Sequence, residues 1–123
     1  MKRVTGLGGI FLKCRDMEQT RAWYARHLGV RMESWGAQFN FKDEPNPGAY
    51  SVLSFFKRST DYFDPSDAPF MINFRVDDLD ALVVALRNEG IELIGEPLNE
   101  EYGKFAWLLD PEGNKIELWE QPK

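Results

Sequence analysis

The feature that most constrains the fold is an internal repeat. The segments GIFLKCRDMEQTRAWYARHLGV (residues 9–30) and MINFRVDDLDALVVALRNEGI (residues 71–91) share one layout. In each, an alternating strand-like run leads to an aspartate, Asp16 or Asp78, whose side chain can accept bonds from the free amides at a helix N-terminus. The sequence therefore predicts two copies of one supersecondary unit, each starting with a strand and a helix.

Each predicted helix carries an apolar stripe. In the second copy the stripe repeats at i, i+3, i+4 and i+7 and consists of Leu79, Leu82, Val83 and Leu86. The first copy has a weaker stripe of Met17, Thr20, Tyr24 and Leu28. Gly29 and Gly90 follow the stripes, and both are expected to end their helices because glycine adopts the left-handed conformation at little cost.

Three strand-like runs follow each helix, so each half reads β-α-β-β-β. The runs lie at about residues 30–34, 37–42 and 50–56 in the first half, and at about 92–97, 104–109 and 115–120 in the second. The chain is expected to form one domain of residues 1–123, with module 1 at about 5–57, a polar, proline-bearing linker at about 58–69 and module 2 at about 70–121.

Charge and composition exclude several classes of function. The net charge of −5 gives no basic field that would hold a nucleic acid or an anionic membrane surface. No apolar run approaches the roughly 20 residues that span a bilayer. A single cysteine, Cys14, cannot form an internal disulfide, and MKRVTG at the N-terminus lacks an apolar signal core. We therefore expect a cytoplasmic protein that binds neither nucleic acid nor membranes.

The duplicated layout, together with RDMEQTRAWYARHLGV and LLDPEGNKIELWEQP, resembles the vicinal oxygen chelate superfamily. This superfamily includes glyoxalase I, bleomycin- and fosfomycin-resistance proteins and extradiol dioxygenases, and the likeness covers nearly the whole chain. The resemblance implies an α+β fold in which two repeated βαβββ modules form a curved mixed sheet around a cavity, with the helices on its outer side. It also implies a homodimer, since family members of this length commonly pair modules between chains.

Strand alternation indicates which residues face the cavity. Glu117 lies between Ile116 and Leu118, so it points to the face opposite these two apolar residues. The first strand would place Ile10, Leu12 and Cys14 under the helix. The predicted ligand-binding residues are Phe11, Lys13, Ser54, Met71, Asn73, Arg75, Trp107 and Trp119. Four tryptophans exceed what a small core encloses, which favours aromatic rings on a cavity wall.

The metal site that the resemblance implies lacks most of its ligands. Glu117 matches the family's carboxylate position, but the two positions that usually hold histidine fall on Gly9 and Met71, and the fourth-strand position falls near Ser54. One carboxylate binds divalent ions only weakly. We therefore predict no metal and no cofactor. The only histidine, His27, is expected on a solvated surface, and Cys14 is expected to be a small buried apolar residue.

These features predict a small-molecule binding protein that takes an aromatic or anionic organic ligand without a protein-bound metal. The anionic option rests on Lys13 and Arg75, at equivalent positions of the two repeats. The alternative is a lyase, isomerase or dioxygenase that uses Glu117 as a catalytic base or as a metal ligand. A third class, a ligand sensor, has no signal in the sequence. Glu117 is either a working group or a residue that only bonds its neighbours.

Overall fold

The computed structural model of the chain describes residues 1–123. Its helices are α1 (Met17–Leu28) and α2 (Leu79–Asn88), and a short 3-10 turn covers Phe41–Asp43. The strands are β1 (Ile72–Arg75), β2 (Leu98–Glu100), β3 (Gly103–Leu109) and β4 (Lys115–Glu120). Neither helix has the length and apolar character needed to cross a membrane.

The strands form one open mixed sheet in the order β1-β4-β3-β2. Strand β1 pairs in parallel with β4, whereas β4 with β3 and β3 with β2 are antiparallel. A parallel pair needs a long connection, and here α2, β2 and β3 supply it between β1 and β4. The protein is therefore a small α+β fold, as the sequence predicts, with all of its regular sheet in the second half of the chain.

Both predicted helix starts are confirmed. The Asp16 side chain accepts from Gln19 N at 2.9 Å, and the Asp78 side chain accepts from Ala81 N at 3.0 Å. These bonds satisfy amides that the first turn of a helix leaves free. Helix α1 ends at Gly29, which adopts the left-handed conformation with φ +64°. Local sequence therefore determined where both helices begin.

The core lies between the helices and one face of the sheet. Its fully buried members are Leu79 and Leu86 from α2 with Leu108, Ile116 and Leu118 from β3 and β4. Helix α1 joins this core through Tyr24, whose hydroxyl donates to Asp110 Oδ2 at 2.6 Å. Burial, together with that bond, raises the pKa of the Tyr24 phenol well above its usual value. The turn after β3 thus holds the helix of the first half.

The strands predicted in the first half do not form hydrogen-bonded ladders within the chain. Residues 30–56 contain only an isolated bridge between Glu33 and Gly36 and the 3-10 turn. The run at residues 9–15 has no strand partner, and its Ile10 and Leu12, predicted to pack under a helix, are exposed. A strand needs a neighbouring strand for its amides, and periodicity alone does not supply one.

One strand of the second half is also displaced from its predicted place. The run predicted at residues 92–97 is not a strand, and β2 begins only at Leu98. Gly95 has φ +69°, and Pro97 has no amide hydrogen to donate to a ladder. Ile94 N still donates to the Trp107 carbonyl at 2.8 Å, but the regular ladder with β3 starts immediately after the proline.

Cys14, which was predicted to be buried, is only partly buried. The prediction that His27 lies on a solvated surface is wrong. The His27 side chain is 9% exposed, and its Nδ1 lies 2.6 Å from Glu89 Oε1. Its ring also contacts Trp23, one helical turn earlier, at a centroid distance of 5.5 Å. The docking of α1 beside the end of α2 buries this residue, which the sequence of α1 alone does not indicate.

Candidate functional site

The second face of the sheet carries no helix, and we call it the helix-free face. Its residues are Glu117 and Trp119 of β4 and the residues that pair with them on the neighbouring strands. Asn73 of β1 and Trp107 of β3 lie opposite Glu117. Arg75 of β1 and Phe105 of β3 lie opposite Trp119. Residues directly opposite one another in a ladder point to the same face. The alternation of Ile116, Glu117 and Leu118 therefore directs Glu117 away from the core.

Glu117 is a buried carboxylate with three hydrogen-bond donors from its own chain. Its Oε2 accepts from Tyr62 O–H at 2.6 Å and from Trp107 Nε1 at 2.8 Å, and its Oε1 accepts from Asn73 Nδ2 at 2.8 Å. The residue is 7% exposed. All three donors are neutral, so hydrogen bonds rather than an ion pair compensate for the loss of water around the charge.

Tyr62 comes from the linker and was not among the predicted site residues. Burial of the phenol and its bond to Glu117 raise the pKa of Tyr62. The ring stacks on Phe56 at a centroid distance of 5.5 Å and meets Trp107 edge-on at 6.4 Å. The aromatic pair of Tyr62 and Phe63 within a mostly polar linker was the signal in the sequence that could have identified it.

Lys115 is the second residue that the sequence analysis missed. It is buried, and its Nζ donates to the Tyr62 backbone carbonyl at 2.6 Å while lying 5.2 Å from the centroid of the Tyr62 ring. Burial lowers the pKa of the Lys115 ammonium, and the nearby Glu117 charge opposes that effect. Its position two residues before Glu117 on the same strand would have placed it on this face.

Three aromatic side chains form a row across the helix-free face. Phe105 lies nearly parallel to Trp107 at 6.3 Å and to Trp119 at 5.8 Å, with an interplanar angle of 12° in both pairs. Trp119 also donates from Nε1 to the Tyr102 carbonyl at 3.0 Å. Trp107 and Trp119, both predicted as ligand-binding residues, thus belong to one surface together with Glu117.

Arg75, one of the two cations on which the anionic option rests, is paired with an acidic residue of the same chain. Its Nε lies 2.9 Å from Glu44 Oε2, and its Nη1 donates to Ser51 Oγ at 3.1 Å and to the Tyr50 carbonyl at 3.3 Å. Glu44 therefore neutralises the guanidinium. The same bonds tie the segment around Tyr50 to the edge of the sheet, where Gln121 Nε2 also donates to the Tyr50 carbonyl.

The remaining predicted site residues are not brought to Glu117 within this chain. Phe11 is 96% exposed, and Lys13 and Ser54 are exposed as well. Met71 is partly buried just before β1. The first three lie on the runs that find no strand partner, which is why strand alternation could not place them.

The residues around Glu117 do not fit the metal centre that the resemblance implies. No group of three or more His, Cys, Asp or Glu side chains lies close enough to hold a metal ion. Both Glu117 oxygens accept bonds from neutral donors, and its neighbour on the same face of β4 is the cationic Lys115. A divalent ion would have to displace those donors without further anionic ligands.

A separate open depression of about 480 Å³ lies near the end of α2, away from this face. It is lined by Arg87, Gly90, Ile91, Glu92, Leu93, Gly95 and Glu96. It contains no aromatic ring, and acidic and basic side chains at its rim are open to solvent. Ligand sites are mostly apolar with a few convergent polar groups, so the helix-free face is the better candidate.

These features define a small α+β domain with helices on one face of a mixed sheet and an aromatic, carboxylate-bearing surface on the other. The chain belongs to the glyoxalase-like domain family, whose profile matches residues 9–119. This family match confirms the predicted resemblance to the vicinal oxygen chelate superfamily.

Three solved structures share the fold at low sequence identity. An antibiotic binding protein from a Streptomyces species is 20% identical, with a TM-score of 0.63 over 99% of this chain and 100% of that one. A protein from the mobile metagenome of V. pseudocholerae is 19% identical, with a TM-score of 0.63 over 100% and 99%. A glyoxylase/bleomycin resistance protein/dioxygenase domain from a Frankia species is 14% identical, with a TM-score of 0.58 over 98% and 100%. No curated protein matches the chain.

Proposed function

We propose that the protein binds a small aromatic organic molecule on the helix-free face, without a protein-bound metal. The observation that carries the proposal is the row of Phe105, Trp107 and Trp119 with the Glu117 carboxylate beside it. Phe105 and Trp119 are buried and Trp107 is partly exposed, so Trp107 is the ring of the row that a planar ligand would contact, and the fixed Glu117 acceptor would set its orientation. The antibiotic binding neighbour is compatible with this function, although at 20% identity it supports the fold alone.

An aromatic ligand is favoured over an anionic one by the charges on this face. Glu117 places a negative charge there, and Arg75 is already neutralised by Glu44. Lys115 is the remaining cation, and the Tyr62 backbone carbonyl occupies one of its three donors. An anionic ligand would have to approach Lys115 past the Glu117 carboxylate, which repels it.

Binding is tested by titrating planar aromatic compounds, neutral 2-naphthol and anionic 2-naphthoate, while following tryptophan fluorescence and heat of binding. Trp107→Phe should weaken 2-naphthol binding about fivefold, because stacking contributes about 1 kcal/mol. The matched control is Trp35→Phe, since Trp35 is exposed and takes no part in the ring contacts of the face. Equal effects of the two substitutions, or no binding at all, would refute the proposal.

The complete binding unit is proposed to be a homodimer in which both modules build the sheet around the cavity. The chain exposes 9494 Å², whereas a compact monomer of 14.3 kDa is expected to expose about 6,800 Å². Of the 18 buried residues, only Thr20 and Tyr24 come from the first 65. Each chain thus exposes about 2,700 Å² more than a compact monomer would. If a dimer buried this additional surface on both chains, the interface would cover about 5,400 Å² in total, which is within the range of obligate dimers.

The runs at residues 9–15 and 50–56 are the parts of module 1 that a second copy would cover. They carry the most exposed aromatic side chains of the molecule, including Phe11 at 96% and Phe55 at 90%. Their backbones also lack ladder partners, which makes them templates for strand pairing with another chain. Sedimentation velocity should therefore show a dimer near 28.6 kDa, twice the 14.3 kDa of one chain. A monomer at micromolar concentration would contradict this.

The alternative is a metal-free lyase or isomerase in which Glu117 is the general base. The short bond between Tyr62 O–H and Glu117 Oε2, at 2.6 Å, is the observation in its favour, because a phenol and a carboxylate can exchange a proton. A base must also reach a proton of the substrate, and here the donors of the chain itself occupy both oxygens. Turnover of a bound compound that disappears in Glu117→Gln, with binding retained, would favour the enzyme.

A further inference from the structure

We propose that Tyr62 occupies the ligand position of the helix-free face, so that the site accepts a phenol whose hydroxyl donates to Glu117 in place of Tyr62. This inference rests on the proposed function, since it names the ligand class of the same face. It follows from the surroundings of the Tyr62 side chain, which provide a bonding partner for the hydroxyl and aromatic and cationic contacts for the ring.

The hydroxyl and the ring of Tyr62 both make contacts that a free phenol could make in the same position. The hydroxyl donates to Glu117 Oε2, one ring face stacks on Phe56 with an interplanar angle of 23°, and Trp107 meets the ring at 86°. The Lys115 ammonium lies 5.2 Å from the ring centroid, within the range of a cation–π contact. These contacts hold an aromatic ring together with its single donor.

Tyr62 is held weakly enough to be displaced. Its side chain lies in the linker and is 38% exposed. The linker bonds to the sheet only through this residue, by Tyr62 O–H to Glu117 and by Lys115 Nζ to the Tyr62 carbonyl. The other linker bonds are local turns, such as Thr60 N to the Lys57 carbonyl. A ligand that replaces the phenol therefore has no extended backbone ladder to break.

The chemistry of Glu117 sets the selectivity of this site. An ionised carboxylate only accepts hydrogen bonds, so the ligand must supply a donor at that position. A phenol satisfies this requirement and an aryl methyl ether of the same shape does not. Near pH 7 a phenol is neutral, which also avoids repulsion by the Glu117 charge.

The test is to remove the Tyr62 side chain and supply it again as a free molecule. Tyr62→Gly is titrated with p-cresol and with 4-methylanisole, and binding is measured by calorimetry and by the melting temperature. We expect p-cresol to bind Tyr62→Gly about tenfold more tightly than 4-methylanisole does, the effect of one hydrogen bond to a charged acceptor. We also expect it to bind Tyr62→Gly about tenfold more tightly than it binds the unmodified protein.

The matched control is Tyr50→Gly. Tyr50 also meets a tryptophan edge-on, Trp119 at 5.6 Å, but its hydroxyl makes no bond to a carboxylate. In this variant p-cresol should bind no more tightly than it binds the unmodified protein, because Tyr62 still occupies the Glu117 acceptor. Because a glycine substitution can unfold a domain, Tyr62→Phe is the second variant: it keeps the ring and removes the competing hydroxyl, and p-cresol affinity should rise at least about threefold.

The outcomes separate this inference from the proposed function. Equal affinity of Tyr62→Gly for p-cresol and 4-methylanisole, or unchanged p-cresol affinity in Tyr62→Phe, overturns the inference. Trp107-dependent binding of 2-naphthol would then leave the proposed function standing. If the unmodified protein and all variants bind none of these aromatic compounds, both are overturned.

Discussion

The phenolic O–H of Tyr62 donates to Glu117 Oε2 over 2.6 Å, although 55 positions of the chain separate the two residues. Glu117 belongs to a strand, and Tyr62 belongs to a polar linker without regular structure. The bond therefore fastens the linker over the helix-free face. One of the three hydrogen bonds that Glu117 accepts therefore comes from a residue outside the sheet.

Replacing Glu117 should cost less stability when the new side chain still accepts hydrogen bonds. Glu117→Gln retains one carbonyl oxygen for Tyr62 and Trp107, and the Asn73 amide can rotate to face the new amide with its own oxygen, so the loss should be about 1 kcal/mol. Glu117→Leu leaves three donors without an acceptor and should cost at least about 3 kcal/mol. Urea unfolding measures both values, and equal losses would contradict the bonding described for Glu117.

Truncation on the opposite face of the same strand should act through packing. Ile116 is fully buried within the core cluster, so Ile116→Ala should reduce the free energy of unfolding by about 2 to 4 kcal/mol by leaving a cavity. Val84 is exposed on the outer side of α2, and Val84→Ala is the control, expected to change stability by less than about 0.5 kcal/mol. Similar losses in the two variants would mean that the faces of β4 are reversed.

Stability should fall steeply at alkaline pH because of Tyr24. The pKa of Tyr24 is raised in the folded protein, so its contribution is fully present below the unfolded pKa of about 10 and is lost as the pH rises above it. Each such group gives a slope of at most about 1.4 kcal/mol per pH unit. Urea unfolding between pH 8 and about pH 11 should show a shallower slope for Tyr24→Phe. Tyr102→Phe, at an exposed tyrosine, is the control. An unchanged slope in Tyr24→Phe would count against this interaction.

Gly103 should tolerate no side chain. Its φ of +133° lies in a region that other residues rarely adopt, and an added Cβ would lie 2.5 Å from both Glu120 O and Trp119 Nε1. Gly103→Ala should therefore lower the free energy of unfolding by about 2 kcal/mol or more and disturb the fluorescence of Trp119. Gly8→Ala, where nothing lies within 4 Å, should have little effect. A neutral Gly103→Ala would show that β3 and β4 can separate at this point.

A charge on the first run of module 1 should dissociate the proposed dimer. Phe11→Asp places a carboxylate on a side chain that is almost fully exposed in one chain, so it should leave α2 and the sheet folded while raising the dimer dissociation constant at least about 100-fold. Val84→Asp, on the outer side of α2, should leave the dimer intact. Sedimentation velocity compares the two variants. If Phe11→Asp remains dimeric, this run lies outside the interface.

The sequence by itself determined the features that depend on neighbouring residues. Asp16 and Asp78 cap the helices because a capping side chain bonds amides only three residues away. The stripe of Leu79, Val83 and Leu86 is buried because helical periodicity places these residues on one side. Alternation along β4 likewise separates Glu117 from the core. In each case the physical cause acts within a few positions of the chain.

Only the tertiary structure decided which distant groups meet. It brings Tyr62 and Lys115 to Glu117, pairs Arg75 with Glu44 and buries His27 against Glu89, although no local pattern links these residues. It also leaves the strand-like runs of the first half unpaired. A strand is completed by hydrogen bonds to a neighbour that can lie anywhere in the chain or in another molecule, so its own periodicity cannot determine whether it forms.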